Sequence, residues 1–416
     1  MINAVLSFAS RRKYEVYEHY HLFYGQVIKK RRLELNLTQE YVANAICSNT
    51  YISKTENNQI VMGEDQLFQI MERLDIPKNQ YARPEELVYY LERIIVLYYY
   101  KDLDGYKKIF DKVADIDFQA VIEVVRLGYL ILSKEYSKAY QLYNELLDYL
   151  NSLDDLGFEI FLIFSADLLQ RLKQLKLSRF IIESIIVVHS DYPEVSIMIE
   201  YIKFVIYGRL HLFDKAWDIL PNLTKNLMNT TNITRLNELT LYKLLFLEYK
   251  RQSLDIYNLE QFIKDLDQDL VTEFLLVRAI GNKEYGKYKD MIDKEAYDAI
   301  AFLTYLQAKQ AIKEKNQELY TQCKEYLSSN HYRSALQFDY VNLLTFEKNN
   351  DLMFLKDYLV NSCLKFFKKN ENIFYYQLIC NEIVDILSLK NRYKDALTYL
   401  QKSEQYLTKL QKKDNG

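Results

Sequence analysis

The chain has 416 residues, of which 49% are hydrophobic and 27% are charged, and its formal net charge is -3. This length exceeds a single typical core, so it predicts two or more domains or a repeat array. The nearly balanced charge excludes a globally basic nucleic-acid coat, and any contact with nucleic acid must come from a local patch. Only nine glycines and four prolines interrupt the chain, which predicts helices nearly throughout.

The sequence lacks the motifs that are typical of several classes of protein. The four cysteines, Cys47, Cys323, Cys363 and Cys380, show no CxxC spacing, and we expect buried, reduced thiols. There is no HExxH motif or Cys/His cluster for a metal, and there are no paired carboxylates, nucleophile–base pair or phosphate loop for an enzyme. No apolar run reaches the roughly 18 residues that a membrane span needs. We therefore expect a cytoplasmic protein without a cofactor, a metal or a membrane contact.

The beginning of the chain predicts a small bundle of four helices. The first helix covers about residues 23–35 and ends at Asn36, because asparagine tolerates the left-handed backbone that often terminates a helix. Thr38 is a good N-cap for the second helix. A further helix over about residues 64–74 closes the bundle. Its inward-facing residues are Leu67, Ile70, Met71 and Leu74.

The third helix has the features of a DNA-reading element. Ser48 is its predicted N-cap, and Ile52 faces inward. The other face carries short polar side chains and one lysine, which suit base edges in the major groove and phosphates. The DNA-binding residues predicted on this helix are Asn49, Thr50, Tyr51, Ser53, Lys54 and Asn57. The alternative is a helix-turn-helix that is vestigial or serves only protein contacts.

Nine positions in this region match the spacing of the phage-repressor-like helix-turn-helix family, which the bundle resembles over about 55 residues. They are Gly25, Ile28, Arg32, Leu37, Thr38, Gln39, Ala43, Ile52 and Glu56. The resemblance implies a partly buried pair between Arg32 and Glu56, and a contact of Gln39 with the DNA backbone. The turn at residues 46–49 departs from the family, because it is one residue shorter than the commonest form and lacks its glycine. That turn resembles the branch found in peptide-pheromone regulators of Gram-positive bacteria.

A segment with two prolines separates this bundle from the rest of the chain. Because residues before Pro77 and Pro84 avoid helical backbone, we place a linker at residues 77–84. A helix-turn-helix DNA-binding domain, here called the reader, then covers residues 1–76, and a second domain covers residues 85–416. The reader holds nine Lys/Arg and nine Asp/Glu, so its DNA affinity must rest on a few contacts and on dimerisation.

The second domain repeats a pattern typical of the second helix of a tetratricopeptide repeat. An aromatic residue is followed three residues later by an alanine, which permits close helix approach, and four residues later by a further apolar or aromatic residue. The alanines are Ala139, Ala216 and Ala396. Their separations correspond to about two and five repeats near the usual ~34 residues. The sequence thus predicts a tetratricopeptide-like helical solenoid, with a generic helical bundle as the alternative.

Two asparagines in this array suggest a peptide-binding groove. First helices line the concave face of such an array, and Asn342 and Asn381 lie about one repeat apart within apolar runs. Because an amide can pair with the backbone of an extended peptide, we predict that both hold a peptide flanked by Tyr340, Tyr376 and Leu378. An inter-helix hydrogen bond or an exposed polar position is the alternative for each asparagine.

The whole chain resembles the peptide-pheromone-responsive helix-turn-helix/tetratricopeptide-repeat regulators of Gram-positive bacteria, the Rap–NprR–PlcR–PrgX group. The resemblance implies an all-α, homodimeric transcription regulator that binds double-stranded DNA and a short signalling peptide in quorum sensing. One alternative is a repeat domain that docks a protein partner, as in phage or mobile-element control. A phosphatase of the Rap type is another, although the intact reader argues against it.

Overall fold

The structure is a computed structural model, and the residues that it describes are all helical or lie in turns and short connections. The described residues are 24–57, 59–60, 62–76, 82, 84–116, 119–185, 192–252, 254, 256, 258–329 and 338–412. No β-strand occurs among them, so the predicted all-α fold class is confirmed. They form two compact units, of which the first comprises residues up to 172 together with 176–206, and the second comprises 173–175 and the chain from 207 onward.

The described residues of the reader, 24–57, 59–60 and 62–76, form four short helices. They are α1 (Gly25–Glu34), α2 (Gln39–Ala43), α3 (Asn49–Glu56) and α4 (Glu64–Arg73).

Both predicted N-caps of the reader are confirmed, since Thr38 Oγ1 accepts from the Tyr41 N–H at 3.1 Å and Ser48 Oγ accepts from the Tyr51 N–H at 3.2 Å. Asn36 has the predicted left-handed backbone, with φ 53°. The capped turns orient the helices so that their apolar faces meet in one cluster. That cluster includes Val27, Ile28, Val42, Ala43, Ile52, Leu67, Ile70, Met71 and Leu74.

Longer helices follow the reader along the chain. In chain order up to residue 209 they are α5 (Pro84–Tyr100), α6 (Leu103–Lys112), α7 (Ala120–Leu132), α8 (Tyr136–Leu146), α9 (Asp155–Arg171), α10 (Leu175–Glu183) and α11 (Pro193–Arg209). A 3-10 turn at Leu147–Ser152 extends α8.

The remaining helices belong to the second unit. They are α12 (Phe213–Asn229), α13 (Ile233–Tyr249), α14 (Leu259–Ile263), α15 (Gln268–Asn282), α16 (Tyr285–Lys289), α17 (Tyr297–Glu314), α18 (Gln317–Ser329), α19 (Tyr340–Lys348), α20 (Leu352–Tyr358), α21 (Lys365–Lys369), α22 (Ile373–Leu389) and α23 (Tyr393–Gln411). A π-helical segment, Leu359–Leu364, connects α20 to α21.

A recurrent tight turn pairs successive helices. One residue of the turn has left-handed backbone, and the next helix begins two residues later. The residues in this position are Lys101, Lys134, Lys173, His211, Thr231, Lys283, Lys315, Asn350, Glu371 and Asn391. Because left-handed backbone costs a residue other than glycine about 1–2 kcal/mol, packing of the surrounding helices has to offset the strain at each turn.

The three alanines of the repeat pattern occupy the predicted place in these pairs. Ala139, Ala216 and Ala396 lie in α8, α12 and α23, each three residues after the first residue of its helix. All three are buried. The sequence pattern therefore marks a buried alanine near the start of three helices, and the tetratricopeptide repeat itself stays a prediction.

The structure describes only part of the predicted linker. Residues 77–81 and 83 lie outside the described residues, and α5 begins at Pro84. Ala82 is buried: its N–H donates to Gln119 Oε1 at 2.7 Å, and its carbonyl accepts from the Tyr24 hydroxyl at 2.9 Å. These bonds tie the start of α1 to the start of α7 within the first unit. The boundary between residues 1–76 and 85–416 stays a prediction.

Along the described ranges, no helix has the length and apolar character that crossing a membrane would require.

Candidate functional site

A bidentate ion pair fixes α3 of the reader against α1. Arg32 Nε donates to Glu56 Oε1 at 2.6 Å, and Nη2 donates to Oε2 at 2.9 Å. The side chains are 11% and 1% exposed, and the hydrogen bond to Glu56 raises the pKa of Arg32. The remaining Arg32 nitrogen donates to the Leu37 carbonyl at 2.9 Å. The expected pair is confirmed, and two parallel bonds give it a defined geometry.

Gln39 joins the same network. Its Nε2 donates to Glu56 Oε2 at 2.8 Å, so α2 is also tied to the pair. The amide therefore has a partner within the reader, whereas the resemblance implied a contact with the DNA backbone. That DNA contact stays a prediction, and forming it through Nε2 requires the bond to Glu56 to be shared or broken.

The outward face of α3 carries most of the predicted DNA-binding residues. At about 100° per residue, Asn49, Thr50, Ser53 and Lys54 fall within an arc of about 140°. Asn49, Thr50 and Lys54 are exposed, and Ser53 is half-buried. This face therefore presents three polar side chains and one cation together.

The other two residues predicted on α3 have structural roles. Asn57 is exposed, but its Nδ2 donates to the Ser53 carbonyl at 2.9 Å and so caps the end of the helix. Tyr51 is half-buried and packs against the apolar cluster of the reader. Both have less freedom to reach a base than the four residues of the exposed arc.

An alanine takes the left-handed position in the turn between α2 and α3. Ala45 has φ 61°, so the strained position lies one residue before the segment 46–49 in which the sequence showed no glycine. Arg73 from α4 covers the end of α2, since its Nη1 donates to the carbonyls of Val42 at 3.1 Å and of Asn44. These contacts hold the shortened turn in place.

The second unit contains a cavity of about 450 Å³. It lies where the ends of α11 and α13 meet α15 and the beginnings of α17 and α22. Its lining residues are Lys173, Leu175, Arg209, His211, Tyr249, Asp269, Thr272, Glu273, Leu276, Val277, Glu295, Ala296, Tyr297, Asp298, Ala299, Glu371, Asn372, Ile373, Phe374 and Tyr375.

The carboxylate of Glu273 is the centre of a charged network in the cavity wall. Glu273 Oε2 accepts from Arg209 Nη2 at 2.7 Å and from Lys173 Nζ at 3.2 Å, and Oε1 accepts from the Tyr249 hydroxyl at 2.9 Å. Burial by itself would raise the pKa of Glu273, but Arg209, Lys173 and the hydrogen bonds outweigh it and lower the pKa to about 2. The group is therefore ionised throughout the physiological pH range.

Aromatic rings form the apolar part of the wall. The ring of His211 stacks on those of Phe213 and Tyr249, with centroid distances of 5.2 Å to each. Burial lowers the pKa of His211 to about 4, so this ring is neutral at pH 7. Phe374 and Tyr375 add two further rings from the start of α22. The cavity thus offers apolar surface beside fixed charges.

The five residues predicted to bind a peptide do not line this cavity. Asn342 is exposed, and its Nδ2 donates to Asp339 Oδ2 at 2.6 Å in the first turn of its own helix. Asn381 is exposed, and Leu378 is half-buried. Tyr340 and Tyr376 are buried, where they pack on Tyr305 and Tyr406 respectively. A peptide contact through these residues stays a prediction, and the cavity is a separate candidate that sequence reasoning missed.

The cysteines are all free. Three are buried as expected, whereas Cys47 in the reader is half-buried. Burial raises the pKa of Cys363 to about 12 and that of Cys380 to about 11. Both thiols are therefore protonated at neutral pH, which makes them poor nucleophiles and poor metal ligands.

Comparison with known proteins supports the reader and the fold. Residues 28–80 match the family described as Helix-turn-helix, so this segment is a helix-turn-helix domain. No curated protein sequence matches the chain.

Two solved structures resemble the chain. The apo form of the quorum sensor NprR from B. thuringiensis has a TM-score of 0.51 and 11% identity, covering 78% of this chain and 99% of that chain. Bacillus thuringiensis PlcR, in complex with the peptide PapR7 and DNA, has a TM-score of 0.32 and 16% identity, covering 65% and 99%. The first likeness shows a shared fold, and the second is too low to carry an argument. The predicted resemblance to helix-turn-helix regulators with a helical array is thus confirmed at the level of the reader and the fold.

The Arg32–Glu56 pair leads to a stability prediction for the reader. Glu56→Ala leaves the guanidinium of Arg32 and the amide of Gln39 without their buried acceptor, which typically costs about 3–5 kcal/mol. We expect the reader of this variant to unfold at a lower temperature in differential scanning calorimetry of the full chain. Glu40→Ala, at an exposed position of α2, is the matched control. If both variants unfold at the wild-type temperature, the pair does not stabilise the reader.

Proposed function

We propose that this chain is a sequence-specific, DNA-binding transcription regulator whose helical-repeat domain binds a short signalling peptide. The observation that carries the DNA-binding half is the exposed arc of Asn49, Thr50, Ser53 and Lys54 on a helix that the Arg32–Glu56 pair fixes in place. A rigid helix with short polar side chains and one lysine is suited to enter the major groove. The match of residues 28–80 to the helix-turn-helix family supports the same function.

The cavity supports the peptide-binding half of the proposal. Its volume of about 450 Å³ lies in the range of roughly 300–1,000 Å³ that is common for ligand sites. Mixed aromatic and charged walls are suited to a ligand with both apolar side chains and polar backbone. The similar protein NprR is described as a quorum sensor, which is consistent with a signalling ligand here.

A homodimer would present two readers to the two halves of a DNA site. An exposed apolar stripe on α23 supports dimerisation through the repeat domain: Tyr393, Leu397 and Leu400 are 63%, 54% and 41% exposed and recur at helical spacing. In an earlier pair, Tyr143 holds the position equivalent to Leu400 and is buried against Phe161 of the next helix. The last helix of the described array therefore presents a surface of the kind that elsewhere receives another helix.

We expect the DNA preference of the chain to depend on the exposed arc of α3. A binding site can be selected from random duplexes with the full-length protein. For that site, Asn49→Ala or Lys54→Ala should each cost about 1–3 kcal/mol, and a lost base contact should relax the preference at its base pair. Lys107→Ala, an exposed lysine on α6, is the control for loss of positive charge. Unchanged affinity and specificity in folded α3 variants would show that this helix does not read DNA.

The dimer is tested by sedimentation of the full chain at micromolar concentration. We expect the mass of two chains for the wild type. Leu397→Glu should give the mass of one chain, because it places a charge in the apolar interface. Gln405→Glu, at an exposed position of α23 about 80° or more away from the stripe, introduces the same charge and should remain dimeric. A wild-type monomer both with and without the selected DNA would contradict the dimer, and a dimeric Leu397→Glu variant would remove α23 from the interface.

A further inference from the structure

The charge of the cavity wall indicates which peptides it would accept, if the proposed peptide-binding function holds. Five carboxylates and two cations line the cavity. They are Asp269, Glu273, Glu295, Asp298 and Glu371, with Lys173 and Arg209. The lining thus carries a net charge of −3 by this count, five negative and two positive groups. Both cations are bonded to the single carboxylate of Glu273, which places them at one part of the wall.

Helix ends reduce this negative charge but do not cancel it. Asp269 and Asp298 lie in the first turns of α15 and α17, and Glu371 directly precedes Asn372, the N-cap of α22. Each helix N-terminus contributes roughly half a positive charge. Three such termini offset about half of the excess, so the cavity keeps a negative potential.

A ligand with a carboxylate group would find both cations of this wall already paired with Glu273. To pair with Arg209 or Lys173 it would have to share or displace Glu273, whose side chain is only 22% exposed. Displacement would leave that carboxylate in a partly buried place without its partners, and loss of such partners is costly. A cationic ligand would instead be attracted by the net negative charge of the lining.

The aromatic walls suit the same kind of ligand. The rings of Tyr249, Phe374 and Tyr375 lie in the lining together with the neutral ring of His211. Aromatic faces attract an ammonium or guanidinium group, and the aliphatic part of a lysine or arginine packs on apolar surface. One cavity therefore combines negative charge with surface for an apolar side chain.

We propose that the cavity selects peptides that place a cationic group beside an apolar side chain, and that it discriminates against acidic peptides. The cation is the N-terminal ammonium of the peptide or the side chain of a lysine or arginine. The carboxylates of Asp298 and Glu371 supply the charge that favours it.

Affinity selection from a random heptapeptide library on the full-length protein tests this proposal. We expect the retained peptides to be enriched in lysine or arginine, or to require a free N-terminus. For a retained peptide, N-acetylation and replacement of lysine by norleucine separate the two sources of charge. The change that removes the recognised cation should weaken binding about tenfold, which corresponds to 1.4 kcal/mol.

Charge-neutralising variants complete the test on the protein side. Asp298→Asn and Glu371→Gln should each weaken binding of the retained peptide, whereas Glu318→Gln, at an exposed position of α18, should not. Thr272→Trp places a large side chain in the cavity and should abolish binding. Ala296→Phe is the second blocking variant, in case Thr272→Trp does not fold.

The outcomes separate this inference from the proposed function. Retained peptides that are acidic, or that bind equally to both neutralised variants, overturn the charge selection; if a blocking variant still abolishes their binding, the cavity remains a peptide site. Retention of no peptide overturns the peptide-binding function itself, and the inference with it. Peptides that bind both blocking variants as well as the wild type place the peptide site outside this cavity.

Discussion

The cavity of the second unit depends on the interactions of one carboxylate, that of Glu273. Its partners come from residues 24, 64 and 100 positions away along the chain, so a single side chain joins the ends of three other elements to α15. Two cations and a tyrosine hydroxyl satisfy its oxygens, which compensates for the cost of removing the charge from water. Without Glu273, Arg209 and Lys173 would repel each other across the same wall. The shape and the charge of the cavity therefore have one common origin.

The reader shows the same principle on a smaller scale. Glu56 accepts hydrogen bonds from Arg32 on α1 and from Gln39 on α2, so one buried carboxylate connects three short helices. Short helices are marginal by themselves, and such a link fixes the exposed face of α3 relative to the rest of the bundle.

A DNA-binding helix and a peptide-binding cavity are not sufficient for the proposed function. A peptide must bind one arrangement of the protein more tightly than another, because otherwise it cannot shift the equilibrium of the reader.

Local signals allowed much of the fold and part of the reader to be predicted from the sequence. Thr38 and Ser48 mark the starts of helices, because their side-chain oxygens accept hydrogen bonds from backbone N–H groups of the first turn. Buried alanines such as Ala216 mark places where helices approach each other closely. The pairing of Arg32 with Glu56 followed from family spacing. Left-handed backbone at Ala45 was not predictable, since alanine carries no preference for it. Tertiary packing, rather than local sequence, decides that position.

The cavity could not be predicted, because its lining comes from segments far apart in the sequence. The spacing of Asn342 and Asn381 indicated a shared register but not the direction in which each side chain points. An apolar run such as the one around Tyr340 is equally compatible with a groove and with a packed core, and the structure places this tyrosine in the core. The acidic residues near the starts of α15, α17 and α22 looked like ordinary helix-start preferences. Only the fold shows that they converge.

We propose that the reader and the cavity are two sites of one regulator. The most direct measurement is the affinity of the full-length protein for its selected DNA site, with and without a saturating cavity-binding peptide. We expect a change of about 5- to 150-fold, the usual range for coupled sites. We also expect Thr272→Trp to remove this change while leaving the peptide-free DNA affinity intact. DNA-binding curves that coincide with and without peptide would contradict the claim.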